Sequence, residues 1–338
     1  MSYKIFAASD IQSAKESLSE YIPITGTILS GTYGTWPNNT NVKKFTTTHG
    51  LFESVYDYPY LSSSANHIFD ITAGVRSGSF TVVSGATEKN RIYTQMAQSL
   101  LGFDVTGNVK NFTVNTSSTV IDKAIFIPIS RLLIKDEIKY DSVDITHGTS
   151  SFATPTGGGT RTISDDGASI NTVYADSPVG EYYYLTSGGT TYGTVFYQAG
   201  VVVLNASTLN TANWISSSYI TTGTGSTDVG FSSASITEIA DSFRRLVTNI
   251  QFTNNTHLYS TVYNCRIDAN EFNFSSNPTY VTGSKIRVKN VATDKNYSYI
   301  TSVGLYSDND ELLATAKLSE PLRNTDAVNY TLSVRLDY

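Results

Sequence analysis

The feature that most constrains the fold is an alternation of apolar and polar side chains near the C-terminus. It runs through residues 299–305, 312–318 and 330–336. A period of two residues is typical of a β-strand, because successive side chains point to opposite faces of a sheet. We therefore expect antiparallel strands with one packed face, the other face being wet or in contact with a partner. Several such strands predict a C-terminal antiparallel β-sandwich.

The middle of the chain also favours strands. Residues 182–185, 194–198 and 201–204 predict a meander, with a tight turn at Gly188 and Gly189. Residues 124–129 are apolar and predict a buried strand, in which Pro128 indicates an edge or a strand end. The fold class predicted from these patterns is mainly β with a few short helices (α+β), built from β-sandwich-like domains.

Helical spacing occurs in three places. Residues 87–101 predict the clearest helix, with apolar side chains at four-residue steps. A second helix is expected over 236–247. A short helix is expected over 11–20, where Asp10 is suited to cap the first turn.

Composition shifts suggest four regions. We expect an N-terminal arm over 1–25 and an α+β domain with the 87–101 helix over 26–145. A β-meander region or insertion follows over 146–235, and a C-terminal β-sandwich domain covers 236–338.

The chain carries few charges. Only 15% of its residues are charged and 40% are hydrophobic, whereas globular domains have about 25% charged residues. Either much of the surface faces other protein, or a Ser/Thr/Asn-rich surface replaces the charges. The net charge of -6, with no basic stripe, argues against binding nucleic acid. No 18-residue apolar window predicts a membrane span.

The sequence lacks the common motifs of catalytic and metal-binding sites. The four histidines are not spaced as metal ligands, and no zincin, P-loop or nucleophile-elbow motif occurs. The acidic run at 308–311 lacks the glycine and ligand spacing of a calcium loop, so it predicts a hairpin turn. The lone Cys265 excludes a disulfide within the chain and fits a reducing cytoplasm. We therefore expect no catalytic residue, no cofactor and no metal.

An aromatic run stands out at Tyr56, Tyr58 and Tyr60. In an extended segment, alternate positions would place all three rings on one side. Tyrosine is enriched at protein interfaces, so a subunit contact is the favoured interpretation. Core packing and ligand binding remain open alternatives.

Several long segments resemble a virion structural protein of large contractile-tailed bacteriophages. They are 54–67 (SVYDYPYLSSSANH), 192–201 (YGTVFYQAGV), 272–280 (FNFSSNPTY), 299–306 (YITSVGLY), 311–319 (ELLATAKLS) and 334–338 (VRLDY). The hairpin pattern of Gly-Leu-Tyr, turn and Leu-x-Ala-x-Ala is also similar to base modules that attach tail fibres to baseplates. The resemblance implies a tail, baseplate or neck component of the virion, assembled in the host cytoplasm. We expect Tyr306 and Leu313, beside that turn, to join the three tyrosines as subunit-interface residues.

The sequence therefore predicts a non-enzymatic subunit that binds other virion proteins and copies of itself in a symmetric assembly. Two alternatives stay open. A receptor-binding or fibre-attachment protein would need an aromatic pocket for a host sugar. A virion-associated polysaccharide hydrolase would need two acidic side chains roughly 5–10 Å apart in a cleft.

Overall fold

The structure is a computed structural model of the chain. It describes residues 3–25, 40–45, 50–79, 82, 85–115, 119–209, 214–216, 227–269, 271–272, 278–279, 281–282, 285–286 and 297–338. These residues form two compact units. The large unit is Leu18–Thr256, and the small unit combines Met1–Ser17 with His257–Tyr338. The boundaries between the units follow Ser17 and Thr256. The regions expected from the sequence had boundaries after residues 25, 145 and 235.

The strands dominate the described chain. In order they are β1 (Ile11–Thr25), β2 (Val42–Lys44), β3 (Glu53–Tyr56), β4 (His67–Val75), β5 (Lys123–Pro128), β6 (Glu137–Ile138), β7 (Asp144–Gly148), β8 (Thr160–Ser164), β9 (Tyr182–Ser187), β10 (Thr190–Phe196), β11 (Val201–Asn205), β12 (Val247–Ile267), β13 (Val281–Thr282), β14 (Lys285–Ile286), β15 (Tyr297–Tyr306), β16 (Leu312–Thr325) and β17 (Tyr330–Asp337). The helices are α1 (Ala86–Leu100), α2 (Arg131–Ile134), α3 (Ala206–Leu209), α4 (Thr227–Ser233) and α5 (Ile236–Leu246). The predicted class, mainly β with a few short helices, is confirmed.

One sheet organises the large unit. Its strand order is β1-β12-β7-β8-β9-β10-β11-β5-β4-β3-β2, with β6 also paired to β12. The ladders from β7 to β2 are antiparallel. The predicted meander is confirmed as β9, β10 and β11. Gly188 and Gly189 form its first turn, both with positive φ as a two-residue hairpin loop requires.

Both faces of the central strands are buried. On β5, Ile125 and Ile127 join one apolar cluster, whereas Ala124 and Phe126 join a second cluster on the opposite face. Strand β11 alternates in the same way between the two clusters. This explains why these segments read as continuous apolar runs rather than as alternating ones.

Helices cover the two faces. Helix α1 supplies Tyr93 and Ala97 to the second cluster, and it passes so close to β4 that a Cβ at Gly74 would lie 2.8 Å from the Tyr93 nitrogen. Helix α5 packs in the first cluster through Ile239 and Phe243. Both helices are confirmed close to their predicted positions. In the described chain, no helix has the length and apolar character needed to cross a membrane.

The small unit contains two antiparallel pairings of long strands. Strand β17 pairs with β12 over 260–267, and β15 pairs with β16 as a separate hairpin. The alternation expected for β17 is confirmed, because Leu332, Val334 and Leu336 are half-buried or buried while Ser333 and Arg335 are exposed.

The helix predicted over residues 11–20 is wrong, because these residues lie in strand β1. The carboxylate of Asp10 is 2.6 Å from Nε of Arg266 in β12, and Ser17 hydrogen-bonds to His257. Contacts between β1 and β12 run in opposite chain directions, as in an antiparallel pair. Pairing with a strand more than 200 residues away overrides the weak local helix signal.

Candidate interaction surfaces and candidate chemistry

The small unit exposes more large apolar side chains than it buries. Among its described residues, three apolar side chains are buried: Ile267, Leu305 and Val334. Twelve large ones are exposed: Tyr3, Ile5, Ile11, Leu258, Tyr259, Phe272, Tyr299, Tyr306, Leu312, Leu313, Val328 and Tyr338. In the described part of the large unit the balance is reversed: 49 apolar side chains are buried, and nine large apolar side chains are exposed. The small unit therefore presents the main candidate interaction surface.

The tip of the β15–β16 hairpin concentrates this apolar surface. Tyr306 pairs with Leu312 across the ladder, whereas Leu305 pairs with Ala314. Leu313 has no opposite residue, so it forms a bulge and is 67% exposed. The structure thus brings together Tyr306 and Leu313, the two interface residues predicted in this part of the chain. We call the residues Tyr306, Leu312 and Leu313 the hairpin tip.

A glycine allows the hairpin tip to pack on its own ribbon. A Cβ at Gly304 would lie 3.0 Å from Cε2 of Tyr306 and 3.3 Å from Cδ1 of Leu312. The ring and the leucine therefore lie over the bare backbone of Gly304, an arrangement that fixes an exposed aromatic side chain on a strand. Tyr306 and Leu312 are therefore packed against the strand, although both side chains are exposed to solvent.

The acidic run beside the hairpin tip forms the predicted turn. The backbone N–H of Asp310 donates a hydrogen bond to the carbonyl oxygen of Ser307, and Asp310 has a positive φ of 62°. Asx and Ser residues commonly stabilise such turns through local hydrogen bonds. Among the residues that the structure describes, no group of three His, Cys, Asp or Glu side chains could hold a metal ion.

Many charges of the small unit are paired within it. Lys4 binds both Asp268 and Glu271, at 2.8 and 2.9 Å. Arg335 lies 2.7 Å from Asp337 and 3.5 Å from Glu16. These pairs are solvent-exposed and contribute little stability individually. Each cation is matched by two carboxylates, so each of the two clusters retains one negative charge.

The three tyrosine rings predicted to lie on one side of a strand, those of Tyr56, Tyr58 and Tyr60, are only partly arranged in that way. The extended segment ends at Tyr56, and the following residues form bends and turns, so the prediction of one strand carrying all three rings is wrong. The carboxylate of Asp57 accepts hydrogen bonds from the backbone N–H groups of Tyr58 and Asn66, which bends the chain. The rings of Tyr56 and Tyr60 still lie 6.4 Å apart.

The exposure of this loop nevertheless fits a contact surface. Tyr58 is 57% exposed and Leu61 is 84% exposed, whereas Tyr56 is half-buried against the edge of the His67 ring. The proposed contact role of Tyr56, Tyr58 and Tyr60 stays a prediction.

A serine, a histidine and an aspartate meet next to this loop. Ser54 Oγ donates to Asp70 Oδ1 at 2.6 Å, and His67 Nε2 lies 2.8 Å from the same oxygen. A catalytic triad needs the histidine between the serine and the carboxylate. Here Ser54 and His67 both bind the Asp70 carboxylate, so they are not arranged as a triad. The hydrogen bond between Ser54 and Asp70 connects β3 to β4.

A cleft of about 390 Å³ opens on the α1 side of the sheet, with Asp104, Asp176 and Tyr182 in its lining. Asp104 accepts hydrogen bonds from Thr106 and Asn108, and these bonds hold the pKa of its carboxyl below the usual range. A glycosidase needs one carboxylic acid with a raised pKa to protonate the leaving group. Asp104 has the opposite property.

Four ionic side chains that sequence reasoning missed meet inside the large unit. Arg244 lies 2.6 Å from Asp241 and 3.5 Å from Glu53, and Lys44 contacts both acids. We call these four residues the ionic quartet. Glu53 and Arg244 are completely buried, whereas the Lys44 side chain keeps 23% of its surface exposed. Lys44 and Asp241 are 197 positions apart in the chain, and no spacing motif could reveal them.

Comparison with known proteins found no relative of this chain: no family model, no curated protein and no solved structure matches it.

Proposed function

We propose that this protein is a non-enzymatic structural subunit of a tailed-phage virion, placed in the tail, the baseplate or the neck. It works by binding copies of itself and other virion proteins, and it assembles in the host cytoplasm. The observation that carries the proposal is the small unit, whose described residues keep twelve large apolar side chains exposed and bury three apolar side chains.

The physical argument concerns what such a unit needs in order to stay folded. Ordering each residue costs roughly 1–2 kcal/mol of conformational free energy, and burial of apolar surface is the main term that offsets this cost. The three buried apolar side chains of the described residues offset little of this cost for a unit with strands as long as β15, β16 and β17. Contact with neighbouring subunits would supply the missing burial, as in obligate interfaces that resemble a divided core.

Two further observations support a subunit of a large assembly. The charged fraction of 15% is low for a protein surrounded by water. The segments that resemble contractile-tail virion proteins also include the hairpin strands β15 and β16 and the end of β17. The resemblance thus includes the exposed hairpin of the small unit as well as two segments of the large unit.

The proposal is tested on particles of the phage that encodes this chain. Mass spectrometry of gradient-purified, salt-washed particles should find the polypeptide in several copies, and immunogold labelling should locate it on the tail, neck or baseplate. Complete, infectious particles without the polypeptide would contradict the proposal. So would release of reducing sugar from host envelopes by the purified chain, since that result would favour the hydrolase alternative.

A further inference from the structure

We propose that the small unit is the module through which copies of this chain bind one another, and that the large unit does not hold these copies together. The inference deepens the proposed function and rests on it. The surface is formed by the exposed apolar side chains of the small unit, which include the hairpin tip, and the occupant is a second copy of this chain.

The first argument is the contrast between the two units. The large unit has its own core, with both faces of β5 and β11 buried and with α1 and α5 packed over them. Most of its described apolar residues are buried within the unit itself. The described part of the small unit has the opposite balance, so the free energy to be gained on association lies mainly in its surface.

The second argument is electrostatic. Along its sequence the small unit has 10 basic and 11 acidic residues, whereas the large unit has 13 basic and 18 acidic residues. A net charge of -1 produces almost no repulsion between identical units, whereas the -5 of the large unit opposes self-association. A surface with little net charge is suited to meet another copy of itself.

The paired charges favour the same occupant. Lys4 is held by Asp268 and Glu271, and Arg335 by Asp337 and Glu16, so these side chains are already engaged within the unit. Binding to a strongly charged partner would require such pairs to open. Association with a second copy lets them stay closed at the edges of an apolar contact, where polar rims are the rule.

The experiment compares two leucines of equal exposure. Leu313 in the hairpin tip and Leu132 on α2 of the large unit are each 67% exposed. Leu313→Ser, alone and combined with Leu312→Ser, is compared with Leu132→Ser in the full-length chain. Light scattering after size-exclusion chromatography gives the oligomeric state from about 1 to about 100 µM, and circular dichroism and thermal unfolding verify the fold of each variant.

The wild type and Leu132→Ser should form the same oligomer. Leu313→Ser should weaken association by about tenfold and the double substitution by more, since each removes apolar contact area. Because the contact is apolar and nearly neutral, raising the salt concentration should not dissociate the wild type.

Three results would overturn the inference. One is a wild-type chain that stays monomeric at the highest concentration while the virion experiment still finds it in particles, because a different virion protein then covers the small unit. Another is an oligomer that Leu132→Ser weakens as much as Leu313→Ser does. The third is an oligomer that the folded double variant retains in full. None of these outcomes by itself removes the chain from the virion, so the proposed function is judged separately.

Discussion

The guanidinium of Arg244 lies 3.5 Å from the carboxylate of Glu53, and both side chains are completely buried. Lys44 contacts the same carboxylate at 3.5 Å, while Asp241 adds a second negative charge. Both distances to Glu53 exceed those of a strong charge-assisted hydrogen bond. Burial, followed by the charge of Asp241, therefore raises the pKa of Glu53 to about 7, although Arg244 and Lys44 oppose the shift.

A pH dependence of stability follows from Glu53. The unfolded carboxyl ionises near its ordinary pKa of 4.5, whereas the folded one holds its proton up to about pH 7. As the pH rises, the Glu53 carboxyl therefore loses its proton at a lower pH in the unfolded chain than in the folded chain. The free energy of unfolding should consequently fall as the pH rises from about 4.5 to about 7. Glu53→Gln should remove this fall, which amounts to about 2–3 kcal/mol between pH 5 and pH 8.

Urea unfolding at the two pH values measures the effect, with Glu20→Gln as the control because that glutamate is exposed. The control should keep the wild-type pH dependence. Equal pH dependence in Glu53→Gln and the wild type would show that Glu53 is ionised in the folded protein at pH 5.

A buried lysine connects α1 to the C-terminal part of α4 and to the residue that follows it. Lys89 is completely buried, and its Nζ donates to the carbonyl oxygens of Phe231 and Ala234 at 2.7 and 2.6 Å. Burial lowers its pKa to about 8. Lys89→Met should lower the free energy of unfolding by about 2–4 kcal/mol, because two buried carbonyl groups lose their donor.

Chemical denaturation of Lys89→Met is compared with that of Arg91→Met, an exposed position on the same helix. The control should change stability by less than about 0.5 kcal/mol. If both substitutions cost equally little, the two hydrogen bonds do not hold α1 in place.

The single cysteine reports on the β12–β17 ladder. Cys265 lies opposite Leu332 and is half-buried, and burial raises the pKa of its thiol above the ordinary value. Less thiolate forms at a given pH, and the thiolate is the reactive species. A disulfide reagent at pH 8 should therefore modify Cys265 at least about tenfold more slowly in the folded chain than in urea. Equal rates would mean that the strand pairing does not shield the thiol.

The strands of the small unit were predictable because each carries its own signal. Alternating residues such as Leu332 and Val334 fix which face is packed, and the acidic run before Leu312 fixes the turn. The same holds for α1 and α5, where apolar spacing and the Ser235–Glu238 capping box are local features.

The features that sequence reasoning missed depend on contacts between distant residues. Asp10 is suited to cap a helix over residues 11–20, yet pairing with β12 makes these residues a strand. The aromatic run at Tyr56 reads as extended, yet Asp57 binds the backbone of Asn66 and turns the chain. The ionic quartet joins β2, β3 and α5, whose sequences give no sign that they meet.

Hydrogen exchange of the full-length chain at a series of concentrations tests the central claim most directly. If neighbouring copies complete the small unit, amides of the β15–β16 hairpin and β17 should exchange at least about tenfold faster once dilution separates the copies, while those of β5 and α1 stay protected. Protection of the hairpin and β17 that is the same in separated and associated chains would contradict the account, because the small unit would then be stable without a neighbour.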